Sequence, residues 1–240
     1  MDNKLLTLKN KAEQFNLLLD EKLLNKFKSF EQILKEYNSH TNLVSSKDIN
    51  LIYEKHFVDS LSFGKFIDQK SNIKLIDIGS GGGFPIIPIS IILNKSKIFA
   101  IDSTNKKVSF LNSAAQQLEL KNFKAINTRA EDLAFNKEFR EQFDIVTARA
   151  VGNLGLICEL CIPFLKVGGK FIAYKSAKVE EEISCATSAI NILGGEIKEI
   201  YEYDLELDEN FKRNLVIIEK IKETPIDYPR KYSTIKYKQL

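Results

Sequence analysis

One stretch, Lys74 to Ile89 (KLIDIGSGGGFPIIPI), constrains the fold more than any other. A short apolar run, Leu75-Ile76-Asp77-Ile78, breaks at Gly79, Gly81, Gly82 and Gly83, with only Ser80 between them. Behind Phe84-Pro85 an apolar run resumes and reads as a helix. Glycine lacks a Cβ, so such a loop can take positive φ and let a ligand touch the backbone. Pro85 suits a first helical turn, where its missing N–H is no loss. The helix start then offers unpaired N–H groups and a positive dipole end to an anion. Strand, glycine turn and helix form the opening unit of a nucleotide-binding doubly wound sheet. The alternative is a tight structural turn.

The next strand, Ile98-Phe99-Ala100-Ile101, ends in Asp102. A carboxylate there, about 20 residues past the glycines, is placed to accept hydrogen bonds from a ribose. The dehydrogenase version of the loop has a third glycine, under a pyrophosphate, where this chain has Phe84. Phe84 fills that space and fits a nucleoside without a pyrophosphate. Asp77, at the end of the first strand, is a further departure, toward S-adenosylmethionine.

The rest of the chain divides around this unit. Leu5, Leu8, Ala12, Phe15 and Leu19, then Leu23, Phe27, Phe30, Leu34 and Tyr37, recur at helical spacing over residues 3–38. A polar loop follows, then a third helical segment over 49–67. We read 1–72 as a helical subdomain, 73–222 as the nucleotide-binding domain and 223–240 as a basic tail. Strands are expected at 73–78, 97–102, 123–128, 143–148, 170–175, 196–203 and 213–220. Helices are expected at 85–94, 105–119 (capped by Thr104), 137–141, 153–165 and 178–193. Strand–helix alternation implies a mostly parallel α/β sheet buried on both faces, and the last two strands can pair as a hairpin.

The 240 residues are 44% hydrophobic, enough for a substantial core, and their net charge of +3 permits a nucleic-acid partner without requiring one. No apolar run reaches membrane-spanning length, and the N-terminus is charged where a signal peptide is apolar. A cytoplasmic protein is expected. Cys158, Cys161 and Cys185 do not make a disulfide framework. Cys158 and Cys161 have metal-ligand spacing but lie in an apolar helical pattern without partner ligands, so no metal is expected.

In a doubly wound sheet the ligand sits beyond the carboxyl ends of the strands. Those ends carry Gly79 to Phe84, then Asp102, then Arg129-Ala130-Glu131, then Arg149, then Lys175-Ser176. Glu131 suits an adenine amino group, and Arg149 and Lys175 place two cations at the rim. In the tail, Tyr228, Tyr232 and Tyr237 interleave with Arg230, Lys231, Lys236 and Lys238. That pattern suits RNA, and an ordinary solvated tail is the plainer reading.

Several segments together resemble the glucose-inhibited division protein B family. They are YNSHTNL at 37–43, HFVDSL at 56–61, LIDIGSGGGFPIIPI at 75–89 and IDSTNKKVSFL at 101–111. TRAEDL at 128–133, FDIVTARAV at 143–151, LCIPFLKVGGKFIAYKS at 160–176 and YPRKY at 228–232 complete the set. The resemblance implies a class I S-adenosylmethionine-dependent methyltransferase fold, Rossmann-like, with a closing antiparallel strand and an N-terminal helical extension. It also implies methylation of guanine N7 in 16S ribosomal RNA, with the RNA or the small ribosomal subunit as partner; a monomer is our own expectation. By resemblance, Gly79, Gly81, Phe84, Asp102, Ala130, Glu131 and Arg149 hold the cofactor. Arg149 and Lys175 are the expected catalytic residues, and Arg230 and Lys231 the expected RNA contacts. A small-molecule methyltransferase, an NAD-dependent dehydrogenase and a non-catalytic RNA-binding module are the rivals.

Overall fold

The computed structural model describes residues 2–41, 43–45, 48–177, 179–205 and 212–240. Its centre is a seven-stranded sheet in the order β3-β2-β1-β4-β5-β7-β6. The strands are β1 Lys74–Ile78, β2 Lys97–Asp102, β3 Phe123–Asn127, β4 Phe143–Arg149, β5 Leu165–Ser176, β6 Gly195–Asp204 and β7 Lys212–Lys220. Neighbours among β1 to β5 pair in parallel. β7 runs antiparallel to both β5 and β6. The closing antiparallel strand is therefore slotted inside the sheet, and its hairpin partner β6 forms the edge. Residues 206–211, which the sequence reading makes the link of that hairpin, lie outside the described residues.

The helices are α1 Asn3–Gln14, α2 Glu21–Asn38, α3 Val58–Leu61, α4 Ile86–Ile92, α5 Asn105–Gln117, α6 Ala130–Leu133, α7 Leu154–Cys161, α8 Glu180–Ile192 and α9 Tyr232–Tyr237. Side chains alternate across a strand, so each strand feeds two cores. On one face Leu75, Ile172, Tyr174, Leu215 and Ile217 join α1, α2, α4 and α5. On the other, Ile76, Phe171, Ala173, Val216 and Ile218 join α7, α8 and Ile235 of α9. Phe27, Phe30, Phe57 and Phe63 of the N-terminal helices are fully buried in the first cluster. Burial of each such ring is worth about 1.5–3 kcal/mol. The N-terminal helices thus share one core with the sheet, and this brings residues 52–61 to the strand ends.

Three segments differ from expectation. Residues 49–67 are not one helix but a 3₁₀ turn (Asp48–Leu51), a π turn (Ile52–Phe57), α3 and a second 3₁₀ turn (Ser62–Lys65). Ser60 and Ser62 hydroxyls donate to the carbonyls of His56 and Asp59, competing with regular helix bonding. The helix expected at 137–141 is absent; Asn136 Oδ1 instead accepts the Glu138 N–H in a turn, and the short helix lies earlier, at α6. Gly168-Gly169 does not precede β5 but lies within it, where pairing with β4 shifts register and Gly168 has φ +84. Thr104 occupies the N-cap of α5 without a side-chain capping bond; its N–H is taken by Asp102.

The 223–240 segment is docked rather than free. Arg140 donates to the carbonyls of Thr224 (2.9 Å), Pro225 (3.1 Å) and Tyr228 (2.8 Å). Lys220 Nζ, buried, lies 3.0 Å from Glu141 Oε1, which also accepts the Thr224 N–H. Ile235 is fully buried against the second core.

Candidate active site at the strand ends

Strand order reverses between β1 and β4, and the loops leaving β1 and β4 part there to open a crevice. The loop after β1 forms its floor. Gly79 (φ +74), Gly81 (+53) and Gly83 (+94) all occupy the left-handed region that glycine alone adopts freely. A Cβ on Gly79 would also stand 2.7 Å from Val151 Cγ2. The Gly79 and Ser80 N–H groups donate to Ile101 O, tying the loop to the end of β2. Asp102 completes the tie: Oδ2 accepts the Gly81 N–H at 3.0 Å and Oδ1 the Thr104 N–H at 2.8 Å. Lys107 Nζ lies 3.5 Å from the same carboxylate.

The crevice has three adjoining compartments. The first, about 380 Å³, is lined by Gly79, Asp102, Ala130, Glu131, Ala150 and Tyr232, among others. The second, about 280 Å³, includes His56, Ser80, Gly81, Phe84, Arg149 and Ala150. The third, about 320 Å³, is bordered by Asp59, Arg149, Ala150, Tyr174, Lys175 and Ser176. Gly79, Lys107 and Ala150 border both the first and second compartments, and Arg149 and Ala150 border both the second and third. Ala150, common to all three, holds φ +57, a strained value for a residue with a Cβ.

Arg149, the last residue of β4, is the hub. Its Nη1 lies 2.9 Å from Asp59 Oδ2, an ion pair not aligned as a hydrogen bond. Its Nη2 meets His56 Nδ1, and the guanidinium carbon stands 5.7 Å from the centre of the Phe84 ring. Asp59 Oδ1 accepts the Tyr203 hydroxyl at 2.5 Å, and Tyr174 donates to Ser60 O at 3.1 Å. An arginine only donates, so His56 Nδ1 is the acceptor and the ring hydrogen sits on Nε2. Burial, and then the Arg149 charge, hold the His56 pKa down to about 3, so the imidazole is neutral. Its ring stacks on Phe84 at 4.7 Å.

Beneath the loop, Asp77 is buried; Oδ1 accepts the Thr147 hydroxyl at 2.7 Å. Oδ2 is buried without a hydrogen-bond partner among the described residues. Burial pushes the Asp77 pKa up to about 7, offset in part by Ser80, Thr147 and Arg149. A glycine cradle in which a Cβ at Gly79 would meet Val151, with the Asp102 carboxylate at the next strand end, fits a nucleoside. No group of three or more His, Cys, Asp or Glu that could hold a metal occurs among the described residues.

The site residues named from the sequence fall into three sets. Gly79, Gly81, Phe84, Asp102, Ala130, Glu131 and Arg149 all border the first two compartments. Lys175 borders the third, but its ammonium is 2.5 Å from Glu182 Oε2 and donates to Gly152 O, so it is not a free rim cation. Arg230 departs further from the expectation of an RNA contact. Its Nε and Nη2 grip both oxygens of the buried Glu159 carboxylate at 2.8 and 2.7 Å. This bidentate pair locks the C-terminal segment to α7 and commits the guanidinium to the fold. Lys231 beside it is exposed. Sequence reasoning missed His56, Asp59 and Tyr232 as site residues. The first two sit three apart in HFVDSL, polar groups on one side of an apolar helical run. That spacing was the available signal. Cys158 and Cys161 are buried, as core thiols should be, and Cys185 is exposed.

Fold and crevice define a class I, Rossmann-like S-adenosylmethionine-dependent methyltransferase. Solved structures share that fold. The match to a SAM-dependent methyltransferase from Aquifex aeolicus has TM-score 0.55 and 16% identity, covering 72% of this chain and 97% of that one. TYW2 of Methanococcus jannaschii, solved in complex with AdoMet, matches with TM-score 0.54 and 16% identity over 76% of this chain and 80% of its own. The sequence profile described as GidB, rRNA small subunit methyltransferase G, matches residues 23–216. The chain belongs to this family. Ribosomal RNA small subunit methyltransferase G of Clostridium tetani is 42% identical over 221 residues, 92% of each chain. The protein of the same name from Clostridium botulinum (strain Loch Maree / Type A3) is 43% identical over 229 residues, 95% of each chain.

Proposed function

We propose that this chain moves the methyl group of S-adenosylmethionine to N7 of a guanine in 16S ribosomal RNA, acting as a cytoplasmic monomer. The observation that carries the reading is the set of three compartments joined through Ala150, with Arg149 between the second and the third. Adenosine is assigned to the first, the amino-acid end to the second, and the target base to the third.

Bound S-adenosylmethionine supplies a methyl group on a sulfonium, a reactive leaving group. The residues of this chain do the rest. Asp102, Ala130 and Glu131 hold the nucleoside, and the Gly79–Gly83 loop lets the amino-acid end lie on the backbone. Phe84 and His56 form an apolar wall, and Arg149 stands between the cofactor and the base. Guanine N7 already presents a lone pair, so attack needs no deprotonation. A neutral His56 whose Nδ1 is occupied by Arg149 cannot serve as a general base, and none is required. Catalysis is therefore positioning, with acceptor, methyl carbon and sulfur held in line. Lys175, fixed by Glu182, contributes its position at the third compartment more than a free charge.

An A-form duplex hides N7 in its deep groove, so the target guanine is single-stranded or turned outward. The residues proposed to grip the RNA backbone are Lys231 and the lysines of the N-terminal helical subdomain. In this reading 1–72 covers the substrate end, 73–222 carries the chemistry and 223–240 braces it.

The test is incubation with methyl-labelled S-adenosylmethionine and small ribosomal subunits, followed by mapping of the label. One guanine labelled at N7 is expected. Label on another atom, or transfer only to small molecules, would overturn the proposal.

A further inference from the structure

The C-terminal segment reads from sequence as an RNA-binding tail, yet its placement is that of a wall. Arg230 is clamped on Glu159, and Arg140 holds the carbonyls of Thr224, Pro225 and Tyr228. Ile235 is buried against the core around α7. Between these anchors Tyr232, the first residue of α9, completes the lining of the first compartment beside Ala130, Glu131 and Leu160. It is half-buried, packed against the second core on one side and open to the crevice on the other.

We propose that Tyr232 is a positioning residue of the cofactor site, offering its aromatic ring to the adenine base. The chemistry of the compartment supports this choice. Asp102 suits a ribose and Glu131 an amino group, and among the described residues that line this compartment Tyr232 is the one aromatic side chain. An aromatic ring gives a purine both dispersion contact and a matched π-face. The three anchors around Tyr232 fix the backbone, so little side-chain order is lost when a base arrives. The C-terminal segment is thus part of the nucleoside pocket, and its contribution to RNA binding is confined to exposed residues such as Lys231. The inference rests on the assignment of adenosine to this compartment, not on the RNA substrate.

The chain contains no tryptophan, which makes the test direct. Tyr232→Trp places a single fluorophore at the proposed contact. Titration with S-adenosylhomocysteine and with 5′-methylthioadenosine, which lacks the amino-acid end, is expected to give a saturable change in Trp emission with both. By calorimetry, Tyr232→Phe should bind both ligands within about twofold of wild type. Tyr232→Ala should lose about tenfold for each, because both carry the adenine. The Phe and Trp variants keep a ring in place and guard against loss of folding. Wild-type binding with a silent Trp, or a loss below about threefold in the Ala variant, would overturn the role of Tyr232 alone. A wild-type chain that binds neither ligand would overturn it together with the cofactor assignment beneath it.

Discussion

On one side of the crevice, Gly81 is held by Asp102, only 21 positions later, across the mouth of one strand–loop–strand unit. On the other side, Arg149 meets His56, 93 positions earlier, from a helical segment outside the strand–helix alternation. The first side is a local motif, and its geometry follows from β1, β2 and the glycines between them. The second exists only because the N-terminal helices share a core with the sheet. Cofactor binding and folding should therefore separate at the first side and remain coupled at the second.

The largest effects are expected at Arg149. In Arg149→Ala the Asp59 carboxylate, 4% exposed, loses its Arg149 ion pair and keeps the Tyr203 hydroxyl. Stranding one member of a buried pair costs about 3–5 kcal/mol. Urea unfolding should show that loss, while methyl transfer falls by orders of magnitude. Adding Asp59→Asn should restore much of the stability and none of the transfer. A single variant as stable as wild type would uncouple the two ends of the account.

Asp102→Ala should keep the protein folded while loosening the glycine loop and weakening ligand binding. It removes the anionic acceptor of the Gly81 and Thr104 N–H groups, a charged interaction worth roughly 1.5–3 kcal/mol. S-adenosylhomocysteine affinity, read by calorimetry, should drop about a hundredfold. Unchanged affinity would remove Asp102 from the site.

A smaller and subtler effect concerns pH. His56 is held neutral down to about pH 3, whereas the unfolded chain protonates it near 6.5. Between these values the unfolded state binds the extra proton, so this group makes stability fall as pH falls. Asp77 works the other way, with its folded pKa raised to about 7 against an ordinary 3.8. There the folded state holds the extra proton, and stability falls as pH rises. From about pH 4 to 6.5 the two slopes, each about 1.4 kcal/mol per pH unit, oppose one another. His56→Gln should unmask the Asp77 slope, making stability decline across that window relative to wild type. Parallel stability curves for the two proteins would contradict the neutral His56.

The smallest effect is expected outside the crevice. Lys231→Ala should lower the salt dependence of RNA binding by about one unit of log–log slope and leave S-adenosylhomocysteine affinity unchanged. A loss of cofactor binding in that variant would contradict the division of labour within the C-terminal segment.

The same contrast explains what could be read before the structure. The loop, Asp102, Glu131 and the strand ends follow from spacing, because hydrogen bonds within one α/β unit tie neighbours in sequence. All seven strands were legible to within a few residues, apart from the early start of β5 at Leu165. The irregular helix at 48–65 was not legible, since serine hydroxyls competing for backbone carbonyls leave apolar periodicity unchanged. Lys175 and Arg230 were read as free cations because their partners, Glu182 and Glu159, come from separate helices. Charge alone does not reveal whether it has been neutralised by tertiary pairing. Tyr232 was visible only as one of several aromatic residues in a basic run.

The most direct test of the central claim is a crystal structure of the chain with S-adenosylhomocysteine. The account predicts adenine beside Glu131 and Tyr232, ribose at Asp102 and the amino-acid end over Gly79 toward Arg149. Ligand density elsewhere, or a crevice left empty at saturating ligand, would contradict it.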